Sequence, residues 1–180
     1  MTGVSYLDNI MYVVCAESPT IRLYSTKTLG PLDVVINVKG MRNPRDIVVC
    51  RHDRQLYVAE EDCIWRVKAN DHSYIKWLNT QFSVQSLSLT YQVDVVTSRH
   101  LLVTSWPPAV RQYNTTNKQL LRVIRMPRYV KDVFHATETT HGTFVVCHYG
   151  TSQDWLLQYY AVSVNCWDFV SYCNISITLW

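Results

Sequence analysis

Hydrophobic residues along the chain fall in short runs broken by polar turns, and one run recurs at a nearly fixed interval. Tyr12-Val13-Val14-Cys15, Tyr57-Val58-Ala59-Glu60, Leu102-Val103-Thr104-Ser105 and Phe144-Val145-Val146-Cys147 begin 45, 45 and 42 residues apart. A second run follows each across a polar loop: Ile21-Arg22-Leu23-Tyr24, Ile64-Trp65-Arg66-Val67, Val110-Arg111-Gln112-Tyr113 and, less clearly, Leu157-Gln158-Tyr159-Tyr160. A third comes after a further turn, at Leu32 to Val38, Tyr74 to Leu78 and Leu120 to Met126. A fourth element precedes the main run, at Asp46-Ile47-Val48-Val49, at Asp132-Val133-Phe134 and, more vaguely, at Val93 to Val96; before Tyr12 it is nearly missing. Turns such as Lys68-Ala69-Asn70-Asp71 and Asn114-Thr115-Thr116-Asn117 separate these elements, so the spacing predicts four short antiparallel strands per repeat.

The main run and its neighbours are apolar without alternation, as expected of strands covered on both faces. Only the third series alternates, with Leu121, Val123 and Arg125 on one face and Leu120, Arg122 and Ile124 on the other, which suits an outer edge. Blades stacked face to face produce this combination, and the chain reads as all-β: a β-propeller of four-stranded antiparallel blades, with about three and a half to four blades present. A β-sandwich also supplies short strands, but it gives no reason for an aromatic-Val-hydrophobic motif to recur every 45 residues. The predicted blades are residues 1–40, 41–82, 83–127 and 128–164, leaving 165–180 as a divergent tail that fits no blade position.

One repeat carries more detail. Asn43-Pro44-Arg45-Asp46-Ile47-Val48-Val49, then Gln55-Leu56-Tyr57-Val58-Ala59-Glu60-Glu61-Asp62, then Cys63-Ile64-Trp65-Arg66-Val67 resembles a blade of the NHL-type propellers, which are six-bladed and related to the gluconolactonase and low-density-lipoprotein-receptor propellers. The other repeats keep the outline of that pattern, over roughly residues 3 to 162. Six blades of this size imply about 270 residues. The chain is therefore expected to be a partial propeller whose open blade faces favour self-association, and the alternative is a closed four-bladed ring of the haemopexin type in which the tail supplies a last strand.

Composition agrees with strands: 12 Tyr, 6 Trp and 4 Phe against only 5 Gly. The net charge of +3 is unevenly placed, since all 17 Lys and Arg fall at or before Lys131. The start has no basic region before its apolar residues, so a secretory signal is not expected and the chain reads as cytoplasmic. In that compartment Cys15, Cys50, Cys63, Cys147, Cys166 and Cys173 are expected to be thiols, and their spacing does not suit structural zinc. Trp155 to Trp180 has Asp168 as its only charge, but Gln158, Asn165 and Asn174 interrupt it and no membrane span is expected.

Chemistry is sparse. The loops after the main runs hold Glu17-Ser18-Pro19, Glu60-Glu61-Asp62, Trp106-Pro107-Pro108 and His148-Tyr149-Gly150, and in a propeller such loops open on one face. Glu17, Glu60, Glu61, Asp62, Trp106, His148 and Tyr149 are accordingly the candidate contacts for a protein or peptide partner, with Trp106 as an aromatic anchor. The acidic turn at Glu60 reads as solvated; the NHL-type resemblance implies, as an alternative, a metal-dependent lactonase or esterase using Asp46, Glu60 and Asp132. It implies as a second alternative an RNA-binding face, carried by Arg122, Arg125, Arg128 and Lys131 of the basic run that begins at Lys118. Cys147-His148 and Cys50-Arg51-His52 are weak nucleophile pairs, because adjacent strand residues point to opposite faces. The chain is thus expected to be a non-catalytic interaction scaffold with no cofactor.

Overall fold

The computed structural model describes residues 2–91, 99–128, 130–139, 143–149 and 157–163. Fifteen strands and no helix lie within them. The first sheet runs in the order β1 (Gly3–Leu7), β2 (Ile10–Val14), β3 (Thr20–Ser25), β4 (Pro31–Asn37). The second follows with β5 (Asp46–Cys50), β6 (Gln55–Ala59), β7 (Cys63–Lys68) and β8 (Tyr74–Asn79). The third contains β9 (Ser83–Tyr91), β10 (Arg99–Trp106), β11 (Ala109–Asn114) and β12 (Leu120–Arg125), and the fourth β13 (Asp132–Glu138), β14 (Thr143–Tyr149) and β15 (Leu157–Ser163). Every recorded pairing is antiparallel between strands consecutive in sequence, so each sheet is a simple meander. The chain divides into two compact units, Met1–Leu87 and Ser88–Trp180.

In the first unit two sheets share one core. Leu7, Tyr12, Val14, Ile21, Leu23, Ile36 and Val38 of the first pack with Ile47, Val49, Leu56, Val58, Trp65 and Val67 of the second. Both faces of β6 are covered, which explains the lost alternation: Leu56, Tyr57, Val58 and Ala59 are all buried. Trp77 of β8, 2% exposed, sets its ring edge-on to Tyr57 at 5.3 Å.

The first blade's inner strand, nearly missing by the sequence reading, is complete. Residues Gly3 to Leu7 pair in register with Val14 to Ile10, closed by an Asp8-Asn9 connection in which Asp8 has φ 54°. The strand lacks an apolar run because it lies against the backbone of β5. A Cβ at Gly3 would sit 2.8 Å from the Ile47 nitrogen and 2.9 Å from the Asp46 Cα, and Ser5 Oγ accepts the Val49 N–H at 3.1 Å. Thr2 Oγ1 also donates to the Pro44 carbonyl at 2.8 Å. Small and hydroxyl residues thus cover the inner edge of β5 and accept an N–H that apolar ones would leave unpaired.

In the second unit Leu102, Val110, Val130, Val133, Ala136, Phe144 and Val146 form the core, with Ile124 and Met126 against it. The inner strand of the third sheet is β9, whereas the sequence reading placed an element at Val93 to Val96, outside the described residues. Strand β9 escapes a search for apolar runs because its buried positions include Ser86, Ser88 and Thr90. Ser88 Oγ donates to the Ala136 carbonyl at 2.5 Å, so burial of that hydroxyl is offset by a hydrogen bond. The divergent tail, 165–180, also falls outside the described residues.

Candidate functional site

Within the first unit, four connections meet at one end of the two sheets. The turn from β6 to β7 places Glu60 inward and Glu61 and Asp62 outward, so the acidic turn is only partly solvated; Glu60 is 6% exposed. Its Oε1 accepts the backbone N–H groups of Arg42 at 2.5 Å and Asn43 at 2.9 Å, and its Oε2 accepts Trp65 Nε1 at 2.6 Å and the Cys63 thiol at 3.3 Å. Burial alone would raise the carboxyl pKa, but the donors from Trp65, Arg42, Asn43 and Cys63 outweigh it and hold the group below the ordinary glutamate value. Glu60 is a structural anion that fixes the loop from β4 to β5. Around that loop, Arg45 reaches Glu61 at 3.4 Å and Ser83 Oγ at 2.8 Å, and the Glu17 backbone N–H, on a residue with φ 62°, donates to Asn43 Oδ1 at 3.4 Å.

Glu60, Asp62 and Cys63 carry donor atoms within 4.8 Å of one another, but the set does not suit a cation. Both Glu60 oxygens are already engaged, and burial with the Glu60 carboxylate beside it pushes the Cys63 thiol up to about 12, so it stays protonated. Asp46 is engaged likewise: Oδ1 accepts the Ile47 N–H and Oδ2 the Leu87 N–H, each at 2.8 Å.

The second unit holds an open site. Trp106 ends β10, is 50% exposed and stands at the rim of a groove of about 620 Å³. Pro107, Pro108, Val123, Met126, Pro127 and Val130 supply its apolar lining, and Arg111, Arg125, Arg128 and Lys131 its charge. Met126 and the buried Val130 tie the connection from β12 to β13 to the core, and Met126 N–H donates to the Pro108 carbonyl at 3.2 Å, joining the two walls. Ser105, 1% exposed, takes a hydrogen bond from Arg111 Nη1 while its hydroxyl lies 3.1 Å from the Pro107 carbonyl, so the cation and the proline turn share one buried anchor. Burial lowers the Arg111 pKa without removing the charge.

The remaining sequence candidates separate. His148 is buried at 2% exposure, opposite Val133 and Gln158 on β14, so neither it nor Glu60 presents a side chain to a partner. Tyr149 ends β14 opposite Asp132 and Leu157. The basic run splits as the alternation of β12 requires: Arg125 faces the groove with Arg128 and Lys131, while Arg122 lies with its guanidinium 5.4 Å over the Phe144 ring. The sequence reading missed Arg111, which lies between Val110 and Gln112 of β11 and carries no motif of its own.

No protein-family profile matches the chain, and no curated protein matches it in sequence. Solved structures do. The β-propeller domain of Cps50 (Swd1) from Myceliophteria thermophila superposes with a TM-score of 0.61 at 11% identity, over 96% of this chain and 56% of that one. The WD40 repeats of RRP9 superpose with a TM-score of 0.63 at 12% identity, over 88% of this chain and 47% of that one. The fold is a β-propeller. Its four sheets are the blades, and the chain spans about half the length of each of these two structures.

Proposed function

We propose that the chain is a non-catalytic interaction scaffold that binds a protein or peptide partner where the connections between blade strands gather, with Trp106 as the anchor. The observation that carries this reading is the half-exposed Trp106 over a groove whose floor is fixed to the core by Met126 and Val130. A large aromatic held in place by a rigid wall loses little side-chain freedom on binding, and such residues dominate interface energetics. Propellers of known structure at 11% and 12% identity support the fold and leave the partner to experiment. The hydrolase alternative is disfavoured, because Asp46 and Glu60 are engaged by N–H donors that a substrate or cation would have to displace.

The NHL-type relationship belongs to this reading and rests on the Asn43 to Val67 pattern. So do the blade limits 1–40, 41–82, 83–127 and 128–164, and a cytoplasmic setting. Quantitative affinity capture tests the proposal. Trp106→Ala is expected to lose the partners retained by the unaltered chain, and Thr116→Ala, in the exposed turn from β11 to β12, to keep them. Equal capture by all three proteins would put the binding face elsewhere.

A further inference from the structure

The groove beneath Trp106 is chemically one-sided. Arg111, Arg125, Arg128 and Lys131 line it and, among the described residues, no carboxylate does; the nearest acid in sequence, Asp132, begins β13 outside the lining. Four of the seven Lys and Arg residues that follow position 87 therefore converge on one cavity. Among the described residues no carboxylate forms an ion pair with Arg125, Arg128 or Lys131. Like charges gathered around one cavity repel one another, and an anionic occupant relieves that repulsion.

The apolar half of the lining decides which anion. Proteins that bind single-stranded nucleic acid use successive aromatic platforms, one for each base. Among the described residues Trp106 is the one aromatic in the lining, and the other uncharged positions are Pro107, Pro108, Ala109, Val123, Met126, Pro127 and Val130. Aliphatic walls suit a branched aliphatic side chain better than a stack of bases. The volume of about 620 Å³ falls within the range of sites that enclose small ligands or a few side chains.

We infer that this groove binds an acidic peptide segment, its carboxylates meeting Arg111, Arg125, Arg128 and Lys131 and an aliphatic side chain packing under Trp106. The inference rests on the scaffold reading and narrows it to one class of partner. Arg111, fixed by Ser105, orients one carboxylate; the more exposed Arg125, Arg128 and Lys131 supply attraction that salt weakens.

Fluorescence anisotropy on the full chain tests it. The probes are a fluorescein-labelled peptide in which Asp and Glu flank a pair of leucines, the same peptide with Lys replacing the acids, and labelled oligouridine of equal length. Saturable binding of the acidic peptide is expected, with none of the Lys peptide. The double variant Arg125→Glu, Arg128→Glu should bind at least about tenfold more weakly, since it removes two exposed attractions and adds two repulsions. Trp106→Ala should cost a similar factor or more. Unchanged thermal melting of both variants, expected for exposed positions, separates lost binding from lost folding. Acidic-peptide binding indifferent to both variants, or absent, overturns the inference. Tighter binding of oligouridine that both variants abolish overturns it in favour of RNA. If the peptide fails while Trp106-dependent capture of protein partners persists, the inference falls and the scaffold reading stands.

Discussion

Replacing Glu60 by alanine tests how the loop end of the first unit is held together. The change strands four donors at once: the N–H groups of Arg42 and Asn43, Trp65 Nε1 and the Cys63 thiol. A buried donor left without an acceptor costs about 1–3 kcal/mol, more when the lost acceptor was charged. Water entering the vacated space restores part of this at the two loop amides, and the thiol is a weak donor. The net loss is therefore expected near 3–4 kcal/mol, at the lower end of the roughly 3–5 kcal/mol for removing one partner of a buried ion pair. With a urea slope of about 2 kcal/mol per molar, the unfolding midpoint should fall by about 1.5–2 M. Glu60→Gln keeps the shape but turns an N–H₂ group toward donors, and should lose roughly half as much.

The pH dependence has a defined sign. The folded pKa of Glu60 lies below its unfolded value, so its contribution is present above about 4.3, the ordinary glutamate value, and is lost as pH falls through the folded pKa. The stability gap between the unaltered chain and Glu60→Ala should be constant from neutral pH down to about 5 and shrink below it. Urea titrations followed by circular dichroism at several pH values measure both quantities. A Glu60→Ala protein within about 0.5 kcal/mol of the unaltered chain at pH 7 would refute the reasoning, since that is the scatter of inconsequential surface changes.

Other outcomes follow from the same contacts. Gly3→Val should lower stability by about 1–3 kcal/mol in thermal melts, because the new side chain meets the backbone of Asp46 and Ile47 rather than a movable side chain. Trp77→Ala should lose about 3–5 kcal/mol by the same measurement, removing a buried indole and its edge contact with Tyr57. In the native protein at pH 8, iodoacetamide should leave Cys63 unmodified by mass spectrometry and, among the three cysteines of the first unit, react first at the half-exposed Cys15; equal labelling of the three would show the first core to be open.

Much of the architecture could be read from the repeat because apolar runs at fixed spacing mark strands covered on both faces. The main runs became β2, β6, β10 and β14, and the runs after them β3, β7, β11 and β15. The inner strands were harder. Strand β1 carries Gly3 and Ser5 because the backbone of β5 lies against it, and β9 carries buried Ser86, Ser88 and Thr90, so neither shows the apolar signature. The site was legible in part. Trp106 announced itself as a large aromatic in a proline turn, whereas the inward turn of Glu60 depends on amides of Arg42 and Asn43 about eighteen residues away, and no local pattern encodes that. Alternation along β12 already implied that Arg122 and Arg125 point apart; what joins Arg125 to Arg111 is a pairing of strands, invisible at the level of the basic run.

Photo-crosslinking from position 106 puts the scaffold reading to its most direct test. A benzophenone side chain is introduced in place of Trp106, and in a second protein in place of Thr116 at the opposite end of β11. Irradiation with the captured partners should give a discrete crosslinked product from position 106 and none from position 116, with the joined partner peptide rich in Asp and Glu. Identical products from both positions, or products from 116 alone, would contradict a binding surface at the Trp106 groove.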